Sequence, residues 1–560
     1  MKKVISYFAV FTLLVGLFPM SRAQASQDGT EREYVVVYEQ GASLEAARAA
    51  ISAVGGEIVR ENVEVGVATV RTTNSNFMAA AEQQSALFGA AQNVRIGQAP
   101  DDRAKNRDDV ERLQQERNDS KGGGSQSEHE SNDEDVEPLA YLQWDMAMIH
   151  ATAEGSYDEQ RGSKKVLVGV IDTGIDGSHP DIAPNFNGEL SRNFTVDIPE
   201  VDGLCEEEPD QSCNDPADVD ENGHGTHVAG IIGAPINHLG TAGVAPGVTL
   251  VNLRAGQDSG FFFLQPTVDA LTYAGDIGVD VVNMSFFTDP WLYNCPNNPA
   301  DSPEAQQEQR TIIEATQRAL DYARAHGVTL IAALGNDNTD LGNPTFDDIS
   351  PDFPLGAAYP RTVDNTCLDM PAEGKGVISV SSLGPTGLKS DFSNYGVEQT
   401  DVSAPGGYFR DFFGTPQYRT VTNLILAPYP ESLAIAFGEV NPDGTPNTPF
   451  VVRDCRKGVC AYYQYLQGTS MAAPHAVGVA ALIVSEYGRR DRLHPKGLTL
   501  RPDMTERILR RSATNTPCPE PPLFDYPDRP DAYTALCVGT PDFNGFYGDG
   551  IVDALRAVNR

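Results

Sequence analysis

From Pro138 onward the chain alternates short, wholly apolar runs with longer stretches of mixed polarity. The runs are Val166–Ile171, Thr249–Leu253, Val279–Met284, Val328–Leu334 and Gly376–Ser381, each beside a turn signal, with helical spacing in Gln265–Asp276 and Glu308–His326. Short runs without polar alternation fit strands covered on both faces, and helices between them supply the crossovers that parallel strands require. The expected fold is α/β, a mainly parallel central sheet flanked by helices. In such sheets, functional residues gather where strands end and helices begin.

The pattern of residues 31–98 is different. Tyr34–Tyr38 reads as a buried strand and Ser43–Val54 as a helix capped by Ser43. Strands follow at Glu57–Arg60 and Val63–Thr72, then an Ala-rich helix over Ser75–Ala90 and a strand at Asn93–Ile96. The order β-α-β-β-α-β predicts a small ferredoxin-like α+β domain. Residues 99–137 are rich in Asp, Glu, Arg, Asn and Gly and offer little to bury. They read as a disordered acidic linker, serving either as a cleavage region or only as a spacer. Residues 138–560 make up the large domain.

Lys2 and Lys3, the apolar run Val4–Phe18 and Ala23-Gln24-Ala25 predict a signal peptide over residues 1–25. The expected location is outside the cell, or in a periplasm. No later run is long and apolar enough for a span, so no membrane anchor is expected. An even set of 8 cysteines suits that compartment. Cys205/Cys213, Cys455/Cys460 and Cys518/Cys537 are paired here by proximity alone, and the connectivity stays open. The formal charge of -37 argues against nucleic acid as a partner and fits a soluble monomer.

Three motifs fall at predicted strand and helix ends. Asp172-Thr173-Gly174-Ile175-Asp176 directly follows an apolar run. His224-Gly225-Thr226-His227-Val228-Ala229-Gly230 opens a helix of small residues, and Gly468-Thr469-Ser470-Met471-Ala472-Ala473-Pro474 opens an apolar one. A hydroxyl at a helix N-terminus sits where free N–H groups favour developing negative charge.

Together and in this order, the three motifs resemble the active-site signatures of the subtilisin-like serine proteases, or subtilases. The resemblance implies a secreted serine endopeptidase acting on protein or peptide substrates, with Asp172, His224 and Ser470 as its triad. Ala332–Asn336 resembles the segment carrying the oxyanion-hole asparagine, which makes Asn336 that donor. Residues 31–98 resemble the family's inhibitory propeptide, so the chain's own first domain is an expected intramolecular partner. Asp176, His227, His179 and His475 read as supporting structure.

No cofactor is expected for the chemistry. The resemblance does imply a structural calcium ion at Asp181 and Asn237, the alternative being an ordinary loop. The acidic loop Asp197–Asp220 reads as a solvated insertion, the alternative being a site for another ion. Val279–Ser285 resembles the strand that pairs with substrate backbone, so Ser285 and Phe286 are expected to touch substrate. Phe286-Phe287-Thr288 stands where the family usually has Leu-Gly-Gly, which should narrow the cleft. Asp337, beside Asn336, would favour a basic substrate residue. An insertion fills the stretch between Gly407 and Gln464, at the cleft or away from it. Two other functions stay open: a processing protease of narrow specificity, and a binding protein without catalysis.

Overall fold

The computed structural model describes residues 31–93, 136–199, 201–207, 211–491, 493–494 and 497–559. The expected signal peptide and residues 99–135 of the expected linker lie outside the described residues.

The first unit runs β1 (Arg32–Tyr38), α1 (Leu44–Ala53), β2 (Glu57–Asn62), β3 (Val67–Thr72), α2 (Phe77–Glu82) and β4 (Leu87–Asn93). Its antiparallel sheet has the order β2-β3-β1-β4. Ser43 caps α1 by accepting from the Ala46 N–H. The Ala-rich stretch is shorter as a helix than its composition suggests. Residues 87–93 form an edge strand, and the expected strand at Asn93–Ile96 lies mostly outside the described residues.

The cause is tertiary. The same small residues that favour helix let β4 lie flat against another helix, α5 below. A side chain at Gly89 would meet the Thr311 hydroxyl at 2.6 Å. Pairing with β1 and close packing outweigh alanine's local preference.

The large domain is built on a seven-stranded sheet. Its strands are β5 (Leu167–Ile171), β6 (Arg192–Asn193), β7 (Thr249–Arg254), β8 (Val281–Met284), β9 (Thr329–Ala333), β10 (Val377–Leu383) and β11 (Val402–Pro405). The order is β11-β10-β9-β8-β5-β7-β6, with every pairing parallel. After β5 the chain adds β7 on one side and β8 on the other, so β5 lies at the point where strand order reverses. Clefts open at the carboxyl ends of strands at such a point.

The helices that position the site are α3 (His224–Gly233), α4 (Leu264–Ile277), α5 (Pro303–Ala325) and α6 (Thr469–Tyr487). Every residue of α6 from Thr469 to Val484 is buried, and the helix packs against the sheet and α3. A helix apolar on all sides belongs in the middle of a core, not on its surface.

The 408–463 insertion is ordered. It forms a separate three-stranded sheet of β12 (Ile425–Tyr429), β13 (Val451–Arg456) and β14 (Val459–Leu466). This sheet backs α3. The His227 imidazole Nε2 lies 3.2 Å from the Ile425 carbonyl and 3.0 Å from that of Gln464.

The first unit docks on α4 and α5. The Asn62 amide donates to Asp269 (2.8 Å) and Thr272 (2.7 Å), and Arg60 pairs with Asp269 at 2.9 Å. Glu308 accepts the Gln92 N–H at 3.0 Å, and Arg318 donates to the Tyr38 carbonyl at 2.8 Å. Val35, Val37, Val67 and Ala91 join one apolar cluster with Ile312 and Ala315 of α5.

The cysteines form Cys205–Cys213, Cys295–Cys367, Cys455–Cys460 and Cys518–Cys537. Three of these are the neighbouring pairs, and the fourth joins positions 72 residues apart.

Candidate active site

Asp172 follows β5 directly and is wholly buried. One of its oxygens, Oδ1, accepts the Thr173 N–H at 2.8 Å and lies 2.7 Å from Nδ1 of His224. Burial pushes its carboxyl up from the ordinary value, while the adjacent imidazole pulls it back down. A carboxylate so placed holds the ring in one orientation and favours a proton on Nδ1.

What fixes His224 is a residue the motifs do not contain. Asp220 is buried, and its Oδ1 accepts the Gly223 N–H (2.8 Å) and the Thr173 hydroxyl (3.1 Å). Its Oδ2 accepts the Thr226 N–H (2.9 Å) and hydroxyl (2.6 Å). One carboxylate thus ties the turn after β5 to the first turn of α3, the two segments that carry Asp172 and His224. It also offers negative charge to a helix N-terminus.

Ser470 is the second residue of α6 and is 5% exposed. The Ser285 hydroxyl donates to its carbonyl at 3.0 Å and accepts from the Asn283 amide at 2.9 Å. His224, Ser470, Ser285, Phe286, Asn336 and Asp337 all line one cavity of about 470 Å³. None of the described residues lining it comes from the 408–463 insertion. Phe286 stacks on Phe262 with ring centres 4.2 Å apart, and the pair forms an aromatic wall.

Asn336 follows β9. Its Oδ1 accepts both the N–H and the hydroxyl of Thr469 at 2.9 Å, which leaves the Nδ2 hydrogens for the cavity. Asn394, fully buried, braces this loop. Its Oδ1 accepts the N–H groups of Asp337 (3.0 Å) and Thr339 (2.9 Å), and its Nδ2 donates to the Leu334 carbonyl (3.0 Å). Gly335 has φ +99°, and a side chain there would meet that amide at 2.3 Å. Only glycine combines that backbone with that approach.

Asp181 and Asn237 are neighbours at 3.0 Å. Asp181 also accepts the Thr241 N–H (3.1 Å) and the Tyr463 hydroxyl (3.2 Å). Beside them stands Glu137, read from composition as the end of an exposed linker but in fact 3% exposed. Its Oε1 accepts the N–H groups of Asn237 and His238, and its Oε2 is buried without a partner. Burial pushes both carboxyls up, Asp181 well above its ordinary value. Asn237 turns its amide N–H to Asp181 while its Oδ1 accepts the Leu239 N–H at 2.9 Å, so the hard-oxygen donors a calcium ion would find here are chiefly the two desolvated carboxylates, one of them with an unpartnered oxygen.

The Asp197–Asp220 loop is not the solvated insertion its composition implied, because Asp197, Asp215 and Asp220 are all buried. Asp197, Asp215 and Asp258 converge on one point, the only such acidic group among the described residues, and Arg254 bonds all three. A buried guanidinium supplies the countercharge.

His179 bonds the Tyr462 carbonyl (3.0 Å), and His475 lies 3.0 Å from Asp145 in the core. Asp176 caps the turn at Ser178 and His179. All three lie in supporting structure.

Comparison with known proteins agrees with this geometry. The chain is 31% identical over 350 residues to the nisin leader peptide-processing serine protease NisP of Lactococcus lactis subsp. lactis, an alignment covering 62% of this chain and 44% of that protein. It is 28% identical over 350 residues to the epidermin leader peptide-processing serine protease EpiP of Staphylococcus epidermidis, covering 62% of this chain and 66% of that one. The chain thus spans less than two thirds of the length of either relative. The solved structure of an epidermin leader peptide processing serine protease from Staphylococcus aureus shares the fold, with a TM-score of 0.59 at 22% identity over 94% of this chain and 98% of that one. Residues 163–531 match the Subtilase family, and the chain belongs to it.

Proposed function

We propose that the protein is a serine endopeptidase that hydrolyses peptide bonds through an acyl-enzyme. The Ser470 Oγ attacks the substrate carbonyl, and His224 takes its proton and later delivers it to the leaving amine. Asp172 holds the imidazole tautomer and stabilises the imidazolium. The Asn336 amide and the Ser470 N–H receive the oxyanion. The observation that carries this reading is the 2.7 Å Asp172–His224 pair opening onto the cavity lined by Ser470. Ser470→Ala tests it: casein hydrolysis should fall by about 10⁴-fold or more. Unchanged hydrolysis, or no reaction of the wild-type protein with a fluorophosphonate, would return the fold to a binding role.

The first unit is read as an inhibitory propeptide, supported by its polar and apolar docking on α4 and α5. Export follows from the N-terminal pattern, and no helix among the described residues is long and apolar enough to cross a membrane. Asp181, Glu137 and the Asn237 carbonyl would hold calcium, which would tie the start of the large domain to the 237–241 loop. A narrow processing role is the second reading. The Phe286–Phe262 wall supports it, as do two relatives named for leader-peptide processing.

A further inference from the structure

A buried lysine stands behind the loop that carries Asn336. Lys389 is wholly buried, and it is not among the residues lining the cavity at Ser470. Its Nζ donates to the Ser393 carbonyl (2.6 Å), the Ser390 carbonyl (3.0 Å) and the Asn338 Oδ1 (3.0 Å). Three acceptors use all three N–H groups of an ammonium. The rings of Tyr395, Tyr526 and Phe546 stand around it, with centres 5.0, 5.4 and 5.4 Å from Nζ. Ring faces favour a cation over a neutral amine. Burial pushes the lysine pKa down to about 7, against the pull of Asp391.

The turn that begins at Lys389 grips the loop after Asn336 along its backbone. The Asp337 and Thr339 N–H groups go to Asn394, and the Asn338 N–H goes to the Phe392 carbonyl at 2.6 Å. Two of the lysine's bonds close that same turn on itself, and the third reaches across to Asn338. Asn338 has φ +51°, a left-handed conformation uncommon outside glycine. The loop is thus clamped at Asn336 by Thr469, beside Ser470, and farther along by the turn that Lys389 shapes.

Resting on the reading of Asn336 as the oxyanion donor, we propose that Lys389 is a positioning residue for that donor. It acts through Asn338 and the 389–394 turn and touches no reacting atom. A donor aimed at a developing oxyanion loses its effect when displaced, because only the transition state places charge there. The lysine therefore contributes to rate and not to substrate binding.

The test introduces Lys389→Met into the full chain, which keeps the side chain's length and removes its N–H groups. With a peptide anilide, and with kcat counted per site titrated by a fluorophosphonate, kcat should fall about 30-fold while KM stays within about twofold. Asn336→Ala should cost about 100-fold in kcat. Adding Lys389→Met to that variant should cost no more than about threefold further, since the donor the lysine serves is already gone. Asn338→Gly keeps the left-handed backbone, removes the lysine's acceptor and should lower kcat about tenfold.

Unchanged kcat in Lys389→Met, or an equal loss with and without Asn336, overturns the proposal. If Lys389→Met does not fold, unchanged kcat in Asn338→Gly overturns it. Unchanged kcat in Asn336→Ala overturns the underlying reading of that residue instead.

Discussion

Asp220 illustrates how much of the proposed catalytic arrangement lies outside its signatures. It is not among the residues lining the cavity at Ser470, yet its two oxygens hold both segments of chain that bring Asp172 and His224 together. Asp220→Asn should lower kcat about 100-fold with little change in KM, because small displacements of reacting groups cost rate more than binding. Steady-state kinetics with unchanged kcat would rule that role out.

Asp258 acts on stability. Burial pushes its carboxyl up to about 8 despite Arg254 beside it, with Asp197, Asp215 and Asp202 adding to the rise. Its pKa in the folded state is above the unfolded one, so the folded protein binds the extra proton. Stability from this group is full below the ordinary carboxylate range and is lost as pH rises toward about 8. Asp258→Asn should therefore raise Tm by about 2 °C at pH 9 and lose that advantage near pH 4, read by calorimetry.

The residues legible beforehand were those inside motifs. Asp220 was not, because the bond that gives it its role joins it to Thr173, 47 residues away, and no spacing rule connects the two.

At the scale of elements, β5 and β7 to β10 of the large sheet could be read within a few residues, since burial on both faces leaves an uninterrupted apolar run, whereas β6 and β11 could not. The edge strand β4 could not. Its Leu-Phe-Gly-Ala-Ala sequence is shaped by contact with α5 rather than by its own preference. Likewise, the 408–463 sheet was legible only as an insertion, although its carbonyls turn out to anchor His227 on the helix that carries His224.

Docking of the first unit concentrates on Asp269, which takes both the Asn62 amide and Arg60. Asp269→Ala strips two partners at once. It should speed release of active enzyme about tenfold, followed as activity appearing after secretion. No change in that rate would mean that the apolar contacts alone hold the unit.

Across the whole molecule, composition suggested little about chemistry and much about environment. The acidic excess hid two separate arrangements: a guanidinium-centred cluster and a hard-oxygen pocket. Only burial distinguishes them. With calcium held at Glu137, Asp181 and Asn237 as proposed above, the protein's stability would depend on that ion. Chelation should lower Tm by about 5 °C, and added calcium should restore it. An identical melt with and without chelator would remove the ion from the account.

The apolar seam between β1, β3, β4 and α5 has a consequence for the protein's solution behaviour. Were the first unit removed, as proposed for a propeptide, Ile312, Ala315 and their neighbours would lose their cover, and the liberated body would gain a sticky flank. Copies of so acidic a protein repel one another strongly, which would keep such flanks apart in dilute buffer. Salt weakens that repulsion and strengthens apolar attraction, so self-association of the processed form should begin at ionic strengths that the unprocessed form tolerates.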